Sequence, residues 1–94
     1  MKNKELYKRI IKKYGKKDQI IKSIEELSEL QKALCKYQLY NFPEKLSTLI
    51  ENIGEEIADV EIMINQLKII FSPEMAELVE IKKAQKHERM LLLL

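Results

Sequence analysis

An apolar seam with a single carboxylate set into it constrains this chain more than any other feature. Leu49, Ile53, Glu56, Val60, Met63, Leu67 and Ile70 recur at alternating steps of four and three, the spacing of a helix stripe packed against other helices. Glu56 occupies one of those slots. A lone carboxylate there loses a large part of its hydration unless it is protonated, paired or bound to a metal. The seam therefore predicts a packed helix and, at the same place, a group that needs a partner.

The acids around it form two sets. Glu55-Glu56-x-x-Asp59 lies in the helix just described, and Glu25-Glu26-x-x-Glu29 lies in an earlier helical segment. Carboxylates three apart on a helix project from neighbouring positions of one face. A hairpin turning near Pro43 would bring the two pairs together and offer four oxygen ligands. Hard carboxylate oxygens of that kind suit Mg²⁺, with Mn²⁺ as a substitute.

The remaining text punctuates a helical chain. Asn3 is placed to cap a helix over about Lys4–Lys13 whose apolar side is Leu6, Tyr7, Ile10, Ile11 and Tyr14, and Gly15 to end it. Asp18 reads as the cap of a longer helix running to about Tyr37, with Ile20, Ile24, Leu27, Gln31 and Leu34 as its inward seam. Gln38–Pro43 is the interhelical loop, because Pro43 disfavours helix at Phe42 and fits a first helical turn. A third helix is expected over about Glu44–Ile70. Gly54 within it costs about 1 kcal/mol against alanine, which close approach of a helix or ligand would offset. Ser72-Pro73-Glu74 reads as a capped start for a fourth helix to about Met90. No glycine-rich phosphate loop, repeat or strand alternation is present.

Ninety-four residues, 46% apolar and 34% charged with two Gly and two Pro, predict one small all-α domain over 1–94. A chain this short buries about two-thirds of its unfolded surface, so a homo-oligomer is expected, a dimer or a tetramer built on the first helix or the Leu91–Leu94 tail. No apolar run reaches the roughly 20 residues of a membrane span, and Met1–Lys17 lacks a signal-peptide core, so a cytoplasmic protein without a membrane partner is expected. Cys35 and His87 are the only residues of their kinds; Cys35 reads as a small buried hydrophobe within its helix and His87 as a solvated surface imidazole. The net charge of +2 hides an asymmetry. Residues 1–17 hold eight Lys/Arg against Glu5, residues 18–81 hold five against thirteen acids, and residues 82–94 hold four against Glu88. Basic ends around an acidic middle suit a metal-charged centre whose polyphosphate ligand needs cations at its rim. Nucleic acid is the less favoured partner.

The arrangement Glu25-Glu26-x-x-Glu29, a gap of 26 residues, then Glu56-x-x-Asp59 resembles the EExxE and ExxD motifs of the MazG-like all-α nucleoside triphosphate pyrophosphohydrolases. The apolar pattern around both motifs is similar too, over about residues 14–89. The resemblance implies a four-helix MazG-like bundle that cleaves a nucleoside or deoxynucleoside triphosphate between its α and β phosphates. On matching positions it implies Glu26, Glu29, Glu56 and Asp59 as Mg²⁺ ligands and Glu25 as an outer or auxiliary base. It places Gln19 near the nucleotide and Lys83 and Arg89 near phosphates, although the spacing of the last-helix lysines departs from the family's pattern. No residue fixes the base, and the lack of a histidine after Asp59 weighs against phosphoribosyl-ATP. Two other readings remain open: a helical interaction module whose acids only solvate a bundle, and a catalytically degenerate nucleotide-binding protein.

Overall fold

A computed structural model describes residues 1–94 as four α-helices and one short 3-10 turn, without strands. The helices are α1 (Lys4–Tyr14), α2 (Lys16–Leu39), α3 (Leu46–Ile70) and α4 (Met75–Leu91), with the 3-10 turn Pro43–Lys45 leading into α3. No helix is long and apolar enough to cross a membrane.

The joints follow from single residues. Gly15, at φ 94° and ψ 151°, donates its N–H to the Ile11 carbonyl at 2.8 Å and accepts from the Gln19 N–H at 3.1 Å. One residue thus ends α1 and starts α2, in a conformation that a side chain would disfavour. This overrides Asp18 as the cap: α2 starts at Lys16, and Asp18 falls in its first turn, where its charge suits the helix dipole. Asn3 also fails to cap, because it adopts a left-handed conformation, φ 66°, and its side chain makes no cap hydrogen bond. Pro43 opens a 3-10 turn rather than the α-helix itself, delaying α3 to Leu46. Ser72 supplies only its carbonyl, to the Met75 N–H at 3.3 Å, so a backbone turn replaces the expected side-chain cap of α4.

α3 is the central element, touching α1, α2 and α4. Its predicted seam faces inward: Val60, Met63 and Ile70 are buried and Leu49, Ile53, Glu56 and Leu67 half-buried. Tyr7 and Ile11 of α1 complete this small core.

α2 departs from expectation. Its covered positions are Gln19, Ser23, Glu26, Leu30 and Ala33, at steps of four and three. Of the predicted seam only Ile20 is partly covered, while Ile24, Leu27 and Leu34 are 60%, 48% and 47% exposed, and Cys35, expected to be buried, is exposed beside Leu34. The helix is rolled about a quarter turn from the apolar-inward orientation. Small Ser23 and Ala33 and the carboxylate of Glu26 now lie on its covered side, and the apolar stripe lies on an outer flank. The same flank continues on α3, where Ile50, Ile57 and Ile64 recur every seven residues and are also exposed.

The consequence is an open molecule. Its surface is 7750 Å², against about 5,700 Å² for a compact monomer of its mass. Its radius of gyration is 16.4 Å, against about 12 Å for a compact chain of its length. α4 meets the rest only near its start: Met75, Ala76 and Val79 are half-covered, and every residue from Glu80 onward is exposed.

Candidate metal and phosphate site

Burial of small residues along α2 lets its acidic face meet that of α3. Glu26, Glu56 and Asp59 each offer a carboxylate oxygen, and these oxygens all lie within 4.8 Å of one another. Glu26 is held on one side by the Lys22 ammonium, one turn earlier in α2, with Nζ 3.2 Å from its Oε1. Glu56 has no such relief. Its Oε2 is buried without any hydrogen-bond partner, the requirement that its seam position predicted.

The electrostatics carry the same message. Burial, then the charges of Asp59, Glu26, Glu29 and Glu55, push the Glu56 carboxyl above its usual range. Burial and the neighbouring Glu26, both by its charge and by a side-chain hydrogen bond, raise Asp59, and Lys22 partly opposes this. Lys22 is raised by its hydrogen bond and attraction to Glu26. Three carboxylates with one ammonium between them carry excess negative charge. An orphaned buried oxygen within such a set is what a hard divalent cation satisfies, so the donor set fits Mg²⁺ or Mn²⁺.

Glu29 stands beside this triad rather than in it. With Glu56 it lines a small cavity of about 80 Å³, whose other polar walls are Lys32, Lys36 and Asn52. Carboxylates therefore pass directly into a pair of lysines on one wall, α2. Lys32 and Lys36 follow Glu29 at steps of three and seven, and Lys22 precedes Glu26 by four. Those intervals are the signal that sequence reasoning passed over, because each lysine taken singly reads as a solvated face.

The other expected site residues are dispersed. Glu25 is exposed and acts on the group only through a favourable charge on Lys22. Gln19 is buried two turns before Glu26, where its carbonyl accepts the Ser23 hydroxyl at 2.8 Å, and it lines neither the acid cluster nor the adjoining cavity. Lys83 and Arg89 are exposed on α4 away from that cavity, and Lys83 pairs with Glu80 at 3.6 Å.

No protein-family model, curated protein or solved structure matches the chain.

Proposed function

We propose that the chain is a Mg²⁺-dependent nucleoside triphosphate pyrophosphohydrolase of the MazG-like all-α type, converting a nucleoside or deoxynucleoside triphosphate to the monophosphate and pyrophosphate. The observation that carries this reading is the meeting of Glu26, Glu56 and Asp59 from two helices around an unpartnered buried oxygen of Glu56. Such chemistry belongs in the cytoplasm, where triphosphates are held.

In this reading Glu26, Glu56 and Asp59 hold the cation, with Glu29 as a fourth carboxylate at the edge. When bound, Mg²⁺ neutralises phosphate charge and draws the substrate oxygens into register. Lys32 and Lys36 bind the phosphates that extend past the acids, supplying the rim cations that the distant Lys83 and Arg89 do not supply within one chain. Glu29, exposed and beside the same cavity, is the carboxylate best placed to take a proton from an attacking water. Glu25 tunes Lys22 from outside.

The same reading includes a homodimer. The surface excess of about 2,000 Å² over a compact monomer matches what one protomer buries in a large obligate interface. The surface best suited to it is the flank formed by Ile24, Leu27 and Leu34 with Ile50, Ile57 and Ile64, in place of the first helix, whose Tyr7 and Ile11 are already taken up by the chain's own core.

Incubation of the purified protein with a panel of triphosphates and Mg²⁺, separating pyrophosphate from orthophosphate, tests the activity. Pyrophosphate with a monophosphate is the expected pair. Absence of turnover with every triphosphate, in protein whose melting temperature Mg²⁺ raises, would leave a binding protein instead.

A further inference from the structure

A second concave region lies at the other end of α3. It is a cleft of about 490 Å³ between α1, the start of α2 and the turn joining α3 to α4. Lys4, Lys8, Lys16 and Lys68 line it together with Phe71 and Pro73, and no acid does. Lys8 has a carboxylate at ion-pair distance, Glu5 at 3.6 Å, whereas Lys4, Lys16 and Lys68 have none. Lys68 is moreover half-buried, its stem covered by the wall of the cleft, and it has no carboxylate at ion-pair distance. The first turn of α4, which forms part of the wall, has no side-chain cap and adds the positive end of a helix dipole.

The cleft is not only cationic. The exposed ring of Phe71 and the side chains of Ile69 and Ile70 give it an apolar floor. Its volume lies within the roughly 300–1,000 Å³ typical of small-molecule sites and is more than inorganic phosphate fills. The lysines are gathered into one hollow rather than strung along a track, and the acidic middle of the chain opposes an extended polyanion. We propose that this cleft binds a phosphate-bearing small molecule of mononucleotide size, its phosphate among the lysines and its ring against Phe71. The site is separate from the acid triad. Lys68 follows Asp59 by nine positions, about 14 Å along α3 and half a turn around it, so the two point to opposite sides. The proposal therefore stands whether or not the triad binds a metal.

The test is titration of the ¹⁵N-labelled full chain with AMP, adenosine, inorganic phosphate and a short oligoadenylate, all in EDTA so that no metal recruits phosphate to the acids. AMP is expected to shift the amides around Lys4, Lys16, Lys68 and Phe71 saturably, more tightly than adenosine or phosphate alone. Lys16→Gln combined with Lys68→Gln should weaken AMP by about tenfold or more, the loss of two charge-assisted contacts. Phe71→Leu should weaken AMP but not phosphate, and Glu56→Gln should change neither. Lys16→Gln alone, at an exposed position, serves if the double variant fails to fold. Shifts centred on Glu26 and Glu56, no saturable response at the cleft, or tight oligoadenylate binding that AMP does not displace would each overturn the proposal.

Discussion

The two outer flanks of the α2–α3 hairpin are built from the same pair of helices and could hardly differ more. One carries Glu29, Asp59, Lys32 and Lys36 beside the half-buried Glu26 and Glu56; the other carries Ile24, Leu27, Leu34, Ile50, Ile57 and Ile64. Each leaves something uncompensated: on the first an orphaned carboxylate oxygen, on the second a stripe of solvated apolar side chains. Neither deficit is repaired within the chain. The physics of repair also differs, since a carboxylate cluster needs a compact counter-charge whereas apolar surface needs area. A cation on one side and a second copy on the other would satisfy both without either disturbing its opposite.

The largest effect expected from breaking this arrangement is on the acidic side. Glu56→Gln keeps the volume of the side chain but removes the charge that a cation needs, and should lower Mg²⁺-dependent pyrophosphate release at least about a hundredfold. Without metal the variant should melt no lower than the parent, because the charge removed is one that burial and four acidic neighbours oppose. With Mg²⁺ the parent's melting temperature should rise and the variant's should not. Near-parental turnover would take Glu56 out of the site.

The apolar flank should respond in the opposite way. Ile57→Lys places a charge at a position 43% exposed in the single chain, so folding of the protomer should change by about 0.5 kcal/mol or less. In an interface the same charge is stranded, and the dimer should weaken at least about tenfold. Light scattering across a dilution series separates the two effects. A parent that is monomeric at every concentration, or a variant with unchanged mass, would show that this flank is not the contact.

The hairpin also shows which parts of the structure were legible in the sequence. α3 was readable because its seam is long, and Val60, Met63 and Ile70 are buried where the spacing put them. Glu56 was readable for the same reason: a charge out of pattern is visible only when the pattern is regular. α2 was misread because periodicity identifies an apolar stripe but not what covers it. Ile24, Leu27 and Leu34 do form a stripe, yet within this chain it is Gln19, Ser23 and Ala33 that are covered. The helix starts failed for another reason. Asn3, Asp18 and Ser72 are all good capping residues, but Gly15 and backbone turns settled the geometry without their side chains. Lys32 and Lys36 stayed hidden because only the position of α3 shows that their side of α2 is shared with Glu56.

A subtler contrast between the flanks is in their response to pH. Glu56 and Asp59 have folded-state pKa values raised from 4.5 and 3.8, so over the interval between unfolded and folded values the native state binds more protons than the unfolded one. Stability of the metal-free protein should therefore fall as pH rises from those unfolded values through the raised ones. Lys22 acts at the other end of the scale: its raised pKa gives stability that is present below 10.5 and is lost as pH rises through the folded value. Saturating Mg²⁺ should flatten the acid-side slope, since the cation competes with those protons. Denaturant midpoints measured from pH 4 upward with EDTA and with Mg²⁺ test this, and identical profiles would separate the acids from metal binding. Ile57→Lys should leave the slope unaltered when both proteins are compared as monomers.

The smallest effect, and the one that probes the edge of the apolar flank most finely, is at Gly54. It lies four residues after Ile50 and three before Ile57, on the same outer side of α3, and a Cβ added there meets nothing within 4 Å. The close neighbour that this glycine suggested is therefore not supplied by the chain's own helices. In the isolated protomer Gly54→Ala should stabilise the helix by about 1 kcal/mol, because alanine loses less backbone entropy and the space is open. In a dimer the result depends on how near the second copy comes. If its helices approach α3 closely at this point, the added methyl must push them apart, and the protomer will gain stability while association weakens. If they pack farther along, around Ile57 and Ile64, both folding and association will keep the gain. Chemical denaturation followed at low and high protein concentration resolves the two components, since only the association part depends on concentration. A loss of stability already present at concentrations where the protein is monomeric would contradict the open space around Gly54.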